Sequence, residues 1–158
     1  MTNNAPDYED NLAFEPAKTA GTIEMVTKDG KAVAIRCYID NQHYFDLALE
    51  DAPEKMDWFE AKVWCEEHYC RLPMKHELKF ICDNLSTINK MLRNAGGKML
   101  NGYYWSSSES SGSYAWNSYL GDRYGPWAWY SNLYTSYGLG TYYKHFSGSV
   151  YVRPVLVL

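Results

Sequence analysis

Alternating apolar and polar residues near the start of the chain predict a β-hairpin followed by a third strand. An apolar run that begins at Ile23 leads to an Asp29-Gly30 pair, and an Asp-Gly pair between apolar runs favours a tight turn. The return strand has a period of two, which buries one of its faces and directs Cys37 inward. Its inward positions are Val33, Ile35, Cys37 and Ile39, and its outward positions are Ala34, Arg36 and Tyr38. The third strand is predicted from His43 to Leu49.

The next pattern predicts an amphipathic helix. Asp57 precedes it and Glu60 occupies the third helical position, so that the two side chains can cap the first backbone N–H groups. The helix is predicted to continue to about Tyr69. Its predicted core positions are Trp58, Ala61, Cys65 and Tyr69, beside Phe59 and Val63, with Glu60, Lys62, Glu66 and Glu67 on the opposite side.

A second helical stretch is predicted after Pro73. Its apolar positions keep helical spacing, with an interruption predicted near Ser86-Thr87, and the stretch is predicted to end at Gly96-Gly97. The apolar positions are Leu78, Ile81, Cys82, Leu85, Ile88, Met91 and Leu92.

The chain changes character near residue 102. From Asn101 to Ser149 no long periodic pattern remains, and Tyr, Ser, Gly, Trp and Asn dominate. Disordered tracts are usually poor in aromatic residues, so we expect ordered loops here. The apolar end of the chain, from Val150 onward, predicts a terminal strand, and Pro154 indicates that this strand lies near an edge or a bulge.

Length and composition limit the kind of protein. With 158 residues the chain is predicted to form one domain, residues 21–158, after a flexible N-terminal arm, residues 1–20. The net charge of −4 provides no broad basic field, so nucleic acid is an unexpected partner. The four cysteines are expected to be buried thiols rather than a disulfide framework.

The sequence also predicts where the protein is found. No apolar run approaches the roughly 20 residues that span a bilayer, and the first residues lack the basic flank and apolar stretch of a signal peptide. We therefore expect a cytoplasmic protein without a membrane span. A phage virion, or surface display by another route, is the alternative location.

Four motifs stand in a recognisable order. They are Arg71 to Leu78 (RLPMKHEL), Tyr104 to Glu109 (YWSSSE), Ala115-Trp116, and Tyr151 to Val155 (YVRPV). In this order they resemble C-type-lectin-fold domains of the formylglycine-generating-enzyme-like branch, and most of all the variable proteins of diversity-generating retroelements.

The resemblance implies both a fold and a function. The implied fold is a C-type-lectin-like α+β domain with two main helices, a small antiparallel sheet and long ordered loops. The implied function is the binding of a ligand, a protein or a cell-surface molecule, through a variable region at residues 110–150. An adenine-mutagenising reverse transcriptase would rewrite the ligand-facing codons of that region.

Residue usage in the late segment is consistent with this mechanism. Replacing the adenines of an Asn codon that ends in a pyrimidine never yields Met, Gln, Glu, Lys or Trp, and there is no Met, Gln or Glu from Ser110 to Leu158. The exceptions are Trp116, Trp127, Trp129 and Lys144. The resemblance implies that Trp116 and Lys144 belong to the scaffold, whereas Trp127 and Trp129 are either scaffold or products of other codons. A segment of strands and loops that simply avoids helix formers is the other explanation.

The late segment has the composition of a paratope, because Tyr and Trp offer rigid contact area and Ser, Gly and Asn offer adaptable hydrogen bonds. Roughly a third of the aromatic residues are expected to be buried instead, with Trp105 and Trp116 as the first candidates for the core. The predicted ligand-binding residues are Tyr114, Asn117, Tyr119, Asp122, Arg123, Tyr124, Trp127, Trp129, Tyr130, Asn132, Tyr134, Tyr137, Tyr142, Tyr143, His145 and Phe146.

Catalysis and metal binding are the rival classes. Cysteine and histidine residues that lie close together in sequence could suggest zinc, but they lack a C-x2-C pair. They are Cys65, His68, Cys70, His76 and Cys82. Formylglycine-generating enzymes need a reactive cysteine pair late in the fold, and no cysteine follows Cys82. We therefore predict no catalytic residues, no metal and no cofactor.

A sugar-binding lectin is the third class. Calcium-dependent lectins of this fold carry Glu-Pro-Asn or Gln-Pro-Asp together with Trp-Asn-Asp, which supply oxygen ligands, and none of these triplets occurs here. A calcium-independent lectin or adhesin of fixed specificity therefore remains the main alternative to a diversified binding protein.

Overall fold

A computed structural model describes residues 19–109, 114–120, 139–144 and 150–158, without the side chains of 114, 116–120 and 139–143. These residues form an α+β structure of three helices and nine strands. The helices are α1 (Trp58–Glu67), α2 (Lys75–Asp83) and α3 (Leu85–Asn94), and the strands are β1 (Ile23–Lys28), β2 (Lys31–Tyr38), β3 (Tyr44–Ala48), β4 (Cys70–Arg71), β5 (Gly102–Glu109), β6 (Tyr114–Leu120), β7 (Leu139–Tyr143), β8 (Val150–Tyr151) and β9 (Val155–Leu156). Within the described ranges, no helix has the length and apolar character needed to cross a membrane. The predicted N-terminal arm lies outside these ranges, except for the exposed residues 19 and 20.

The predicted hairpin is confirmed. Asp29 and Gly30 have φ angles of 53° and 79°, the left-handed conformation that a two-residue type I′ turn needs at both central positions. Cys37 is fully buried, as predicted, but Ala34 on the opposite face is also fully buried. On that face Ala34 pairs through its backbone with Ala48 of β3, and Arg36, two residues further along, forms an ion pair with Asp46 of the same strand.

Helix α1 begins as predicted and ends earlier. Asp57 Oδ1 accepts a hydrogen bond from Glu60 N at 2.8 Å, and Glu60 Oε1 accepts one from Asp57 N at 3.0 Å, which completes the capping box. Tyr69, predicted as a core residue, has a φ of 55° and is 87% exposed, because the chain leaves the helix before it. Phe59 and Val63 are exposed as well, since they lie about 100° and 140° around the helix from Trp58.

The second predicted helical stretch is two helices, α2 and α3. The break lies at Asn84 rather than at Ser86-Thr87, and the Asn84 amide donates to the carbonyl of Phe80 at 2.8 Å. The Phe80 carbonyl also accepts a hydrogen bond from the Asn84 backbone N–H at 3.1 Å, so the side chain of Asn84 adds a second bond at the end of α2. The predicted end is confirmed, because Gly96 has a φ of 78°.

The segment expected to consist of loops contains strands β5, β6 and β7, so that expectation is wrong for these residues. Tyrosine, tryptophan and threonine favour strands, but here they do not alternate with polar residues, and a periodic pattern is what reveals a strand in sequence. The two-residue strand β4 also had no signal in the sequence.

Two sheets organise the described residues. Sheet 1 is antiparallel with the order β1-β2-β3-β9-β4, and sheet 2 has the order β7-β6-β5-β8, in which only β5 and β8 are parallel. The predicted terminal strand is therefore two short strands, β8 in sheet 2 and β9 in sheet 1. β9 lies inside sheet 1 rather than at its edge, and Pro154 stands where the chain passes between the sheets. Its carbonyl accepts a hydrogen bond from Ala48 N at 2.9 Å.

Two hydrophobic clusters form the core, and β5 contributes to both. Neighbouring residues of a strand point to opposite faces, and accordingly Tyr104 lies in one cluster and Trp105 in the other. The Tyr104 cluster joins sheet 1 to α2 and α3 through residues such as Leu47 and Leu92. The Trp105 cluster joins α1 to sheet 2 and includes Ala115 of β6.

Candidate functional site

The predicted ligand-binding residues fall into two groups. Those on strands, with their backbone described, are Tyr114, Asn117 and Tyr119 on β6 and Tyr142 and Tyr143 on β7. Those outside the described residues are Asp122, Arg123, Tyr124, Trp127, Trp129, Tyr130, Asn132, Tyr134, Tyr137, His145 and Phe146. The structure therefore places the backbone of the first group and the strands that flank the second.

Pairing of β6 with β7 fixes the two ends of the longest tyrosine-rich segment, residues 121–138. Ser118 pairs with Leu139, so the chain leaves β6 and enters β7 at neighbouring points of sheet 2. Gly102 of β5 pairs with Leu120 at the same end of the sheet. The segment is thus joined at both ends to hydrogen-bonded strands.

The opposite end of sheet 2 brings other predicted residues together. Tyr114 pairs with Tyr143 and Ala115 pairs with Tyr142, so three of the predicted residues lie on adjacent backbone positions. The chain enters β6 at this end from the segment 110–113. Of the predicted residues on β6 and β7, Tyr119 therefore lies towards one end of the sheet, and Tyr114, Tyr142 and Tyr143 lie towards the other.

Lys144, which follows β7, is anchored in the interior. Its side chain is 4% exposed, and its Nζ lies 3.0 Å from Oε1 of Glu109 and 4.4 Å from the centre of the Trp58 ring. Its carbonyl accepts a hydrogen bond from Trp58 N at 2.8 Å. Val150 accepts one from Met56 N at 3.4 Å, so both ends of the segment 145–149 are tied to the start of α1.

The two tryptophans expected in the core have different outcomes. Trp105 is confirmed as fully buried, and its indole Nε1 donates to the carbonyl of Met56 at 2.9 Å. Trp116 pairs through its backbone with Thr141, and its side chain lies outside the described atoms. A third tryptophan, Trp58, donates from Nε1 to the carbonyl of Ser106 at 2.8 Å, which joins α1 to β5.

The first of the four motifs, residues 71–78, contacts strand β5 of sheet 2. Arg71 forms a bidentate ion pair with the buried Glu77, with Nη1–Oε1 and Nη2–Oε2 distances of 2.7 and 2.8 Å. The hydrogen bond to Glu77 raises the pKa of Arg71. Pro73 accepts a hydrogen bond from Ser107 N at 2.8 Å, and Lys75 N donates to Ser108 Oγ at 3.0 Å, which connects the motif to β5.

A buried carboxylate, Asp51, joins the end of the chain to β5. Its Oδ1 accepts a hydrogen bond from Arg153 Nε at 2.8 Å, and its Oδ2 accepts one from Tyr104 OH at 3.2 Å and one from Lys98 Nζ at 2.9 Å. Arg153 also donates to the carbonyl of Ala48 at 3.2 Å and to that of Lys98 at 2.7 Å. Each of the two ions thus makes three hydrogen bonds, which offset the cost of burying its charge.

Sequence reasoning did not identify Asp51. Its partners Tyr104 and Arg153 are 53 and 102 residues away, so no local pattern connects them. The available signal was Arg153 itself, a single charge within an otherwise apolar terminal segment. A buried arginine needs a carboxylate partner, and that requirement directs the search to acidic residues between apolar runs.

The cysteines and histidines weighed as a metal site make other contacts. His68 stacks on the Trp64 ring at 4.0 Å between centres, and Cys70 Sγ donates to the carbonyl of Cys65 at 3.5 Å. All four cysteines of the chain are free thiols, and burial raises the pKa of Cys65. Across the part of the chain that the structure describes, no group of three or more His, Cys, Asp or Glu is arranged to hold a metal ion.

The described residues therefore form a scaffold in which hydrogen-bonded strands and buried ion pairs hold the flanks of the predicted binding segment. Comparison with models of known protein families and with curated proteins gives no match for this chain.

Proposed function

We propose that the protein binds ligands through residues 110–150, carried by a C-type-lectin-like scaffold, and that this segment is diversified by adenine-directed reverse transcription. The observation that carries the proposal is the contrast between the anchored ends of this segment and its own composition. The ends of the segment are tied to hydrogen-bonded strands and buried side chains, while its own composition is that of a paratope.

The anchoring of the segment supports a recognition role. Binding residues are commonly displayed on connections that a rigid framework holds in place. Here the pair Ser118–Leu139 holds the ends of residues 121–138, and the contacts of Lys144 and Val150 hold residues 145–149. A connection fixed at both ends can change its side chains while the frame keeps its geometry.

The location of the stabilising contacts supports tolerance of sequence change. The ion pairs Arg153–Asp51 and Arg71–Glu77 and most of the two hydrophobic clusters come from residues outside 110–150. Within that range, Ala115, Lys144 and Val150 are the described buried residues. Most of the described stabilising contacts therefore lie outside the proposed variable segment, as a protein with a variable binding face requires.

The chemistry of the segment favours a protein or another cell-surface molecule as ligand. Residues 121–138 contain Tyr, Trp, Ser, Asn and Gly with one aspartate and one arginine. Aromatic anchors with a few charges suit a broad surface contact, in which a small number of residues carry most of the binding energy.

The experiment that tests diversification is deep sequencing of this gene and its flanking DNA from a population of the source. We expect a near-copy of the coding segment for residues 110–150 next to a reverse-transcriptase gene. Substitutions should occur only where that copy has adenine, and codons 19–109 should stay constant as the internal control. Substitutions spread evenly over both regions, or a gene without the copy, would contradict diversification and favour an adhesin of fixed specificity.

A further inference from the structure

A cleft outside the late segment lies between α3 and the chain just before β5. It has a volume of about 480 Å³, within the range of roughly 300–1,000 Å³ that small-molecule sites occupy. One wall is a side of helix α3, because the helical lining residues lie at spacings of three or four and such residues share one side of a helix. The lining residues with functional groups are Ser86, Asn89, Lys90, Arg93, Met99 and Asn101.

The second wall of the cleft is held in place before any ligand arrives. The Asn89 side chain accepts a hydrogen bond from Leu100 N at 2.7 Å and donates one to Leu100 O at 3.2 Å, as a neighbouring strand would. Asn101 N donates to Tyr104 OH at 3.2 Å, and Lys98 O accepts from Arg153. A site with fixed walls loses little entropy on binding, which favours affinity for small ligands.

The cleft is cationic in a protein with a net charge of −4. Lys90 and Arg93 are both exposed, and none of the described residues that line the cleft carries a carboxylate. The ion pairs found among the described residues do not include either cation. Their positive charge is therefore directed to the cleft and to solvent.

We propose that this cleft binds an acidic saccharide. Arg93 and Lys90 supply the donors that recognise a carboxylate, and an arginine can do so with two parallel hydrogen bonds. The exposed side chains of Ser86 and Asn101 offer a hydroxyl and an amide to sugar hydroxyls, and Met99, 43% exposed, offers an apolar contact to ring C–H groups. The combination of two cations, neutral polar groups and one apolar side chain matches a hydroxyl-rich anion better than a purely apolar molecule.

The cleft lies beside the point where the proposed variable segment leaves sheet 2. Asn101 precedes Gly102, which pairs with Leu120, the residue from which the segment 121–138 leaves sheet 2. An acidic saccharide in the cleft thus lies at the end of the sheet that also carries the proposed variable segment. The cleft itself consists of residues outside 110–150, so its specificity stays constant when that segment changes.

Isothermal titration with digalacturonate at low salt tests the proposal, with the neutral digalactose of the same linkage as the matched probe. We expect the full chain to bind digalacturonate and to bind the neutral disaccharide at least about tenfold more weakly, because hydrogen bonds to a charged group are the stronger ones. The double variant Lys90→Met/Arg93→Met should lose at least about tenfold in affinity for digalacturonate. Added salt should weaken binding to the parent.

The double variant Lys28→Met/Lys31→Met is the matched control, since it removes the same charge from the exposed β1–β2 hairpin. It should bind digalacturonate as the parent does. Thermal unfolding checks each variant, and Lys90→Gln serves as a milder change, because Arg93 in the last turn of α3 also stabilises the helix. Equal binding of the two disaccharides, absence of digalacturonate binding, or equal losses in the cleft and hairpin variants would each overturn the proposal. The titration requires no other ligand, so its outcome is separate from that of the proposed function.

Discussion

Strand β5 and the segment 110–150 are built from the same residue types, mainly Tyr, Trp and Ser, but we assign them opposite roles. In β5 the side chains of Tyr104, Trp105 and Ser106 are fully buried. Their polar atoms have specific partners, such as Met56 O for the Trp105 indole and Asp51 for the Tyr104 hydroxyl. The segment 110–150 carries similar side chains on β6, on β7 and on the stretches of chain beside these strands, where we propose that they contact a ligand.

Composition alone therefore does not separate scaffold from binding surface. An aromatic side chain with a polar atom is stable in the interior when that atom finds a partner, and it is useful at an interface for the same reason. What distinguishes β5 is its position between two hydrophobic clusters with backbone and carboxylate acceptors on both sides.

The largest effect is expected from Trp105→Ala. Removing a fully buried tryptophan leaves a cavity in the cluster around α1 and removes the hydrogen bond to Met56, and such changes cost about 3–5 kcal/mol. Urea denaturation of the parent and the variant gives the difference in the free energy of unfolding. The control is Trp64→Ala, a partly exposed tryptophan of α1, for which the loss should be clearly smaller. Equal losses for the two variants would show that β5 is not part of the core.

Arg153→Met should cost about 3 kcal/mol, because it leaves the Asp51 carboxylate buried without its main partner. Adding Asp51→Asn should restore part of the loss, since the uncompensated charge is then gone. Lys79→Met, which breaks the exposed pair with Asp83, is the control and should cost no more than about 0.5 kcal/mol. If Arg153→Met and Lys79→Met have the same unfolding free energy, the end of the chain does not hold β5 as described.

Tyr104→Phe is expected to have a smaller and pH-dependent effect. Losing the hydrogen bond to Asp51 should cost about 1–2 kcal/mol at neutral pH. Burial, together with the charge of Asp51, raises the pKa of Tyr104 above its ordinary value of 10.0. The unfolded chain therefore releases this proton at a lower pH than the folded chain does, and the contribution of Tyr104 is complete below about pH 10 and declines above it.

Unfolding in urea from about pH 8 to about pH 11 tests the sign of this effect. The parent should lose stability more steeply than Tyr104→Phe as the pH rises through the alkaline end of this range. The same comparison with Tyr69→Phe, an exposed tyrosine, should show parallel curves. A Tyr104→Phe curve parallel to the parent would mean that the Tyr104 hydroxyl titrates as in solvent.

Local sequence signals predicted the early part of the fold well. The Asp29-Gly30 turn and the Asp57–Glu60 capping box depend on residues within a few positions of one another, so the sequence shows them directly. The core side of α1 was assigned too broadly, because apolar type alone does not say that Phe59 and Val63 face solvent. Tyr69 was misplaced because its left-handed backbone ends the helical period.

Contacts between distant residues account for what the sequence did not reveal. β5 lacks a clean alternation because both of its faces are buried, and such strands give no period-two pattern. The split of the last strand at Pro154 depends on two sheets meeting there. For the candidate site, the sequence indicated the segment by its composition, but the juxtaposition of Tyr114 with Tyr143 depends on the pairing of β6 with β7.

The smallest effect on stability and the largest on binding are expected from the proposed variable segment, and this combination tests the central claim. Tyr119, Tyr124, Tyr130, Tyr134 and Tyr142 are changed to Ser, singly and together. Substitutions away from the core usually change stability by no more than about 0.5 kcal/mol each, so melting temperatures should stay close to that of the parent. A ligand isolated by display selection on the parent should bind the fivefold variant far more weakly, because aromatic anchors contribute about 2 kcal/mol or more each.

The matched control for this measurement is Tyr69→Ser, an exposed tyrosine outside the segment, which should keep full affinity. Thermal unfolding and ligand titration are measured on the same preparations of each variant. Our account predicts a folded fivefold variant that no longer binds. An unfolded fivefold variant would place these tyrosines in the core, and a folded one that binds like the parent would place the ligand site elsewhere, and either result would contradict the account.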